Sequence, residues 1–402
     1  MESIVYIGDF DLRNRNVQSH LVLNNGRIFS QLGYSVSYIG TNRDCLSFSD
    51  LPRERVNIED FQYYELPHTL TLKGIFQVRS IKNRILHVLD EINNRNHVKY
   101  LITYQCPSYA IVLEYIIKWC RKNHVKYIVN SADITVFDSQ PFFKRVMMEL
   151  NWNYLHRITK KNANGIIAVS RYIADFYYKA DRASIIVPPL FYEERIMRAR
   201  NNIEKQCTTF VYAGTPFPLL SHCVNPDGMK DRLDKIIHLF SLVEENRIQF
   251  KLYVIGLTLD DFCLAVPQYS EYLKKTECIS FFGRKDHDIT LDFVEKADFL
   301  INYRDKNVMN EAGLSTKVVE SISLGTPIVM NDIGDTFQYL NETMGIKLSG
   351  TIDKDVETII RLCKMKPEEI SRIKEYCKSN SPFKVDAYIE QYKAFFEKLN
   401  SN

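Results

Sequence analysis

The stretch Asn310–Asn331, NEAGLSTKVVESISLGTPIVMN, decides the fold. It reads in turn as loop, short helix, turn and buried strand. The loop is Asn310-Glu311-Ala312-Gly313. Ser315 or Thr316 can cap the helix by accepting a backbone N–H. Val318, Val319 and Ile322 give that helix one apolar face. Gly325 suits its carboxyl end, and Pro327 stops any continuation. Ile328-Val329-Met330 then predicts a buried strand. The helix start presents free N–H groups and a partial positive charge, so it suits an anion such as a diphosphate. Lys317 lies in the first turn and Glu320 three residues later, so the two project from neighbouring faces. A cation for phosphate thus stands beside a carboxylate for sugar hydroxyls.

The same grammar runs along the whole chain, in which short apolar strands alternate with longer helical patterns. Such alternation predicts an α/β protein with parallel sheets flanked by helices. Strands are expected at Ser3–Ile7, Ser35–Ile39, Lys99–Thr103, Lys126–Asn130, Gly165–Val169 and Ser184–Val187. Helices are expected at Val17–Leu32, Ile75–Asn93, Tyr109–Lys122 and Phe142–Asn162. Pro188-Pro189 interrupts the rhythm, and a polar stretch from Glu193 to Gln206 reads as helix plus linker. Strands resume at Thr209–Ala213, Gln249–Ile255, Ile279–Phe282, Phe299–Tyr303, Ile328–Met330 and Ile346–Leu348. The reading is therefore two doubly wound, Rossmann-like domains, residues 1–190 and 206–380, facing a cleft at the carboxyl ends of their strands. Tyr388, Tyr392, Phe395, Phe396 and Leu399 recur at helical spacing. The tail 384–402 is thus expected to be an amphipathic helix packed on a domain.

Bulk properties narrow the function. With 402 residues and 45% hydrophobic side chains, the chain can build two substantial cores. A net charge of +3 gives no footprint for nucleic acid, and none is expected as a partner. The nine cysteines are scattered with no CxxC pair, which argues against zinc and fits a reducing cytoplasm. Ser3-Ile4-Val5-Tyr6-Ile7 is too short for an export signal, and no apolar run would span a bilayer. Gly8 stands alone after the first strand, so the dinucleotide fingerprint is missing, as is a Walker A loop. Asp9-Phe10-Asp11 and Asp286-His287-Asp288 are short enough to arise by chance, and no metal is expected.

Several segments together resemble the family-four retaining glycosyltransferases, whose fold is glycosyltransferase-B. They are Phe210-Val211-Tyr212-Ala213-Gly214-Thr215, Phe281-Phe282-Gly283-Arg284, Gly313 through Val329, Asn164 through Ser170, and Val187-Pro188-Pro189-Leu190. The resemblance covers almost the whole chain. Gly313, Thr316, Lys317 and Glu320 fit a shortened Gly-x-x-Thr-Lys-x-x-Glu signature. The family's two glutamates stand with seven residues between them. Here Glu320 is the second, while Ala312 occupies the first position and Glu311 lies one place earlier. Thr215 replaces the usual arginine, and Lys230 follows after a long loop, Pro216–Met229.

The resemblance implies that the second domain binds a nucleoside-diphosphate sugar, as substrate rather than cofactor. It implies that the first binds a glycan or lipid-linked glycan acceptor and that the terminal helix returns to the first domain. The implied setting is bacterial capsule, exopolysaccharide or O-antigen synthesis, in the cytoplasm or at the inner membrane face. Two alternatives remain open: a non-catalytic partner that kept the fold, and a nucleotide-sugar epimerase.

The expected catalytic groups are Lys230, Arg284 and Lys317, stabilising charge on the leaving diphosphate, with Asp133 to orient or deprotonate an acceptor hydroxyl. Donor-binding groups are Gly214, Thr215, Arg304, Asn310, Glu311, Gly313, the N–H groups of Leu314, Ser315 and Thr316, and Glu320. Asn14 and Asn16 are the acceptor candidates. Plainer roles stand beside each: a solvated first-turn lysine, a helix glutamate paired with it, surface charges at Arg284 and Lys230, and caps at Asp133, Asn14 and Asn16. Basic residues gather at Arg145, Arg157, Lys160 and Lys161, and again at Arg195, Arg198 and Arg200, near Phe142, Phe143, Trp152 and Tyr154. Such a surface suits an anionic membrane, although a solvated helix face is the commoner outcome.

Overall fold

A computed structural model describes residues 2–14, 17–45, 47, 55–67, 72–104, 110–134, 142–192, 207–225 and 229–401, without the side chains of 72–77. Asn16, Arg195, Arg198, Arg200 and the Glu193–Gln206 stretch lie outside them. The chain divides into two compact units, Met1–Tyr192 with Val385–Asn402, and Glu193–Lys384. Each is a Rossmann-like domain.

The first domain is built on an eight-stranded sheet. Its strands are β1 (Ser3–Gly8), β2 (Ser35–Asn42), β3 (Val56–Ile58), β4 (Phe61–Pro67), β5 (Val98–Tyr104), β6 (Lys126–Ser131), β7 (Gly165–Ala168) and β8 (Ala183–Ile186). The order is β3-β4-β2-β1-β5-β6-β7-β8, parallel except for the β3–β4 pair. Helices α1 (Val17–Gln31), α2 (Leu72–Arg95), α3 (Ala110–Lys122), α4 (Phe142–Asn162) and α5 (Arg171–Phe176) connect the strands. Parallel neighbours need such crossovers, and strands covered on both faces become continuously apolar. β1 is accordingly buried at every position.

The second domain carries six parallel strands. They are β9 (Thr208–Ala213), β10 (Phe250–Ile255), β11 (Ile279–Phe281), β12 (Phe299–Ile301), β13 (Ile328–Asn331) and β14 (Gly345–Leu348). Their order is β11-β10-β9-β12-β13-β14. Between and after them run α6 (Leu233–Glu245), α7 (Leu259–Ala265), α8 (Ser270–Leu273), α9 (His287–Lys296), α10 (Val308–Ala312), α11 (Thr316–Ser323), α12 (Thr336–Tyr339), α13 (Ile352–Cys363) and α14 (Pro367–Asn380). Phe210, Tyr212, Leu233, Phe240, Phe250, Phe299 and Ile359 belong to one buried cluster between sheet and helices. The strand order reverses between β9 and β12, and ligands of such sheets bind at the carboxyl ends beside that reversal.

The tail ends in α15 (Ile389–Ser401), which packs in the first domain as expected. Phe396 lies 4.6 Å from the Tyr100 ring and 5.5 Å from Phe29. The Tyr392 hydroxyl donates to Asn25 Oδ1 at 2.9 Å, Asn25 Nδ2 donates to Tyr6, and the Tyr6 hydroxyl donates to Asn130 Oδ1 at 2.6 Å. A polar thread thus runs from the tail to the centre of the sheet. Among the described residues, no helix is long and apolar enough to cross a membrane.

Candidate active site

The quoted stretch folds as read, with two departures, the first being that Asn310, Glu311 and Ala312, read as loop, form the end of helix α10 (Val308–Ala312). Its expected helix is α11, Val318, Val319 and Ile322 are its buried face, and β13 follows Pro327. Gly325 adopts φ +90° just past the helix end. Ser315 is the N-cap residue, yet its hydroxyl bonds no N–H and finds no partner among the described residues, although the residue is buried. None of the Leu314, Ser315 and Thr316 N–H groups reaches a backbone carbonyl among the described residues either. A helix start left without its own cap presents those donors to an outside anion.

The centre of the site is a residue that the sequence reading passed over. Asp231 is 1% exposed and lies just before α6. Lys317 Nζ is bonded to its Oδ2, Arg304 Nε donates to its Oδ1 at 2.7 Å, and the Tyr212 hydroxyl donates to Oδ2 at 3.0 Å. Burial alone would raise the Asp231 pKa. The ion pairs with Lys317 and Arg304 outweigh it and hold the carboxyl below the usual carboxylate range. Burial pushes the Lys317 ammonium down, against the pull of Asp231, and Arg304 and Lys230 add to the lowering. Lys317, Arg304 and Lys230 thus gather three positive charges around Asp231, with Glu320 one turn beyond Lys317.

Strand ends position these cations. Arg304 follows β12, and its backbone is clamped to Asn331 at the end of β13 by bonds of 2.9 and 2.7 Å. Gly214 follows β9 at φ +151°, and a Cβ there would collide with the Lys317 ammonium. The absence of a side chain is what lets Lys317 reach Asp231, passing 4.9 Å from the Tyr212 ring. Gly256, at the end of β10, sits so close to the Gly214 carbonyl that no Cβ fits there either. Asn302, fully buried at the end of β12, has no partner for either amide atom among the described residues. A buried unpaired amide is costly, so bound water or ligand atoms belong beside it.

Glu320 stands one turn beyond Lys317. Burial raises its pKa to about 7, although Lys317 opposes the rise. The His287 imidazole stands beside Glu320, with Nε2 3.8 Å from Oε1. Hydroxyl groups that donate to this carboxylate favour its ionised form.

The other sequence candidates are spread more widely. Lys230 is exposed beside the cluster. Thr215 bonds the Gly256 carbonyl at 3.2 Å. Asn310 is buried, and its amide is engaged by the Asp305 carbonyl at 2.9 Å, so it shapes the loop after β12. Glu311 is half-buried on α10, and Gly313 ends that helix. Arg284 is exposed just beyond β11, with no carboxylate in ion-pair range among the described residues. Asp133 is an exposed residue past the end of β6, in the first domain. Asn14 is exposed there too, and its carbonyl accepts from Ser19 at 3.0 Å. Asp11 is buried and its carboxylate bonds the Arg13 and Arg43 N–H groups, a loop-building role.

No protein-family model matches the chain, and no curated protein matches it in sequence. Solved structures do match its fold. Sucrose-phosphate synthase from Thermosynechococcus elongatus superposes with a TM-score of 0.66 at 14% identity, over 100% of both chains. HepE of Anabaena, in complex with UDP, gives 0.63 at 12%, again over 100% of both. The lipopolysaccharide outer core galactosyltransferase WaaB gives 0.61 at 11% identity over 99% of each chain. The chain has the two-domain Rossmann-like fold of these glycosyltransferase-B structures.

Proposed function

We propose that this chain is a retaining glycosyltransferase that moves a hexosyl or related sugar from a nucleoside diphosphate to a glycan or lipid-linked glycan. The observation that carries the reading is the Lys317–Asp231–Arg304 cluster, set beside an uncapped helix start and one turn from Glu320. Breaking a sugar–phosphate bond loads negative charge onto the leaving oxygens. Lys317, Arg304, Lys230 and the N–H groups of Leu314, Ser315 and Thr316 answer that charge, and Asp231 holds two of the cations in place before it develops. Glu320 accepts from the ribose hydroxyls, and Arg284 serves the diphosphate from the loop after β11. Asp133 serves the acceptor hydroxyl, with the leaving phosphate assisting its deprotonation on the same face. UDP, the nucleotide in the HepE structure, is the first to try. The setting we favour is bacterial surface-polysaccharide assembly at the inner membrane face, with no cofactor.

The test combines nucleotide release with thermal shift. UDP at a hundred times its dissociation constant should stabilise the donor domain by about 2.7 kcal/mol. Lys317→Ala should lower sugar transfer on the order of 10²-fold. No shift with any common nucleoside diphosphate would sink the reading. A second reading has one observation in its favour: Ala312, where the signature's first glutamate belongs, is completely buried and leaves that carboxylate missing. A non-catalytic binder would show the thermal shift without transfer or donor hydrolysis. An epimerase would convert the donor without acceptor.

A further inference from the structure

Two groups of charged side chains meet where the start of α6 lies beside the end of β12. In one, Lys317, Arg304 and Lys230 surround Asp231. In the other, Arg232 and Lys235 face Asp234 and Asp305. Asp231 and Arg232 are neighbours in the chain, as are Arg304 and Asp305, and the two dipeptides exchange partners. Arg304 Nε donates to Asp231 Oδ1 at 2.7 Å, while Arg232 Nη1 bonds Asp305 Oδ2. The Arg232 backbone N–H donates to the Tyr303 carbonyl at 2.8 Å, which ties the two segments side by side. Arg232 also grips Asp234, in the first turn of α6, through Nε at 2.9 Å and Nη2 at 2.7 Å. Lys235 Nζ takes the other Asp305 oxygen at 2.7 Å.

The consequence is electrostatic. Asp305 follows Arg304 directly in the chain, and its side chain is 34% exposed. A carboxylate so placed competes with an anionic ligand for that guanidinium, and even at rest it lowers the positive potential around it. Burial alone would raise the Asp305 pKa, but Lys235 and Arg232 outweigh it, so the group is ionised and engaged. Among the described residues neither Asp234 nor Asp305 bonds Arg304 or Lys317. Two acids matched by two bases form a closed set, and the cations around Asp231 are left for a ligand.

We propose that Arg232 is a positioning residue for diphosphate binding. By engaging Asp305 and Asp234 it keeps a competing carboxylate off Arg304. The inference rests on the reading of this site as a diphosphate site, and the experiment separates the two.

The test is calorimetric titration of the full chain with UDP, UMP and inorganic pyrophosphate. The unaltered chain should bind UDP and pyrophosphate. Arg232→Met should weaken UDP about tenfold and UMP by less, because UDP carries the additional phosphate charge. Adding Asp305→Asn to Arg232→Met should bring UDP affinity back to within about threefold, a recovery that loss of a purely structural contact would not show. Lys235→Met, at a partly exposed position, should lower UDP affinity about threefold, and by less as salt rises. Equal losses for UDP and UMP, or no recovery in the double variant, would overturn the proposal. Should Arg232→Met fail to fold, unchanged UDP affinity in Lys235→Met would overturn it independently. An unaltered chain that binds neither UDP nor pyrophosphate would remove the diphosphate reading and this inference together. Binding that Arg232→Met leaves intact would remove the inference alone.

Discussion

Asp231 holds one negative charge between Lys317 and Arg304 where water is almost excluded. Removing one partner of such a buried group strands the others. Asp231→Asn should therefore cost the second domain about 3–5 kcal/mol. Urea unfolding measures this, and a loss under ~1 kcal/mol would contradict the geometry. Glu320 makes a prediction of the other sign. Its folded pKa of about 7 lies above the ordinary glutamate value of about 4.3. Between those pH values the native state binds more protons than the unfolded one, so stability falls as pH rises through that window. Glu320→Gln should flatten this fall, and thermal unfolding at pH 5 and pH 8 would show it. Ribose hydroxyls favour the ionised carboxylate, so binding UDP near pH 6.5 should release protons. Calorimetry in buffers of different ionisation heat reads that release, and proton uptake would refute the role assigned to Glu320.

At the scale of elements, the site is a set of strand ends brought together by parallel pairing. β9 delivers Gly214, β12 delivers Arg304, and α11 delivers Lys317 and Glu320. Gly214→Ala should disable the site without unfolding the core, since the new methyl displaces only the Lys317 ammonium and strains one backbone position. UDP affinity should fall at least tenfold while the far-UV spectrum stays the same; undiminished affinity would mean that Lys317 has another route to the ligand. The helix and strand of Asn310–Asn331 were legible because apolar period, glycine and proline all agree there. Asp231 was not. In Lys230-Asp231-Arg232 it looks like a solvated turn, and its partner Lys317 lies 86 residues away. The Ser315 cap failed for a different reason: composition favours a cap, but only packing decides where the hydroxyl points. The β3–β4 hairpin was missed as well. β4 is buried on both faces yet contains Gln62, Glu65 and Pro67, so neither alternation nor a clean apolar run marks it.

At the scale of the whole molecule, the tail is the most informative segment. Tyr392 anchors it through Asn25 and Tyr6, and Phe395 and Leu399 close over Gly165, where a Cβ would have no room. Tyr392→Phe leaves the Asn25 carbonyl oxygen unsatisfied in the interior and should cost about 1–3 kcal/mol in the first domain alone. Domain-resolved hydrogen exchange would show this as faster opening of α1 and β1, with the second domain unaltered. The two-domain pattern was legible from the rhythm of strands and helices, because each crossover imposes its own period. The tail's destination was not written in its own residues, since an amphipathic helix names no partner.

Because Val385–Asn402 belong with Met1–Tyr192, the polypeptide passes between the two bodies twice. Recombination at a single junction would therefore break one of them. A chimaera meant to exchange donor preference must carry the inner segment, Glu193–Lys384, as an insert with two seams. Evolution would meet the same restriction: a crossover inside this gene conserves function only when it trades the middle and keeps both ends from one parent.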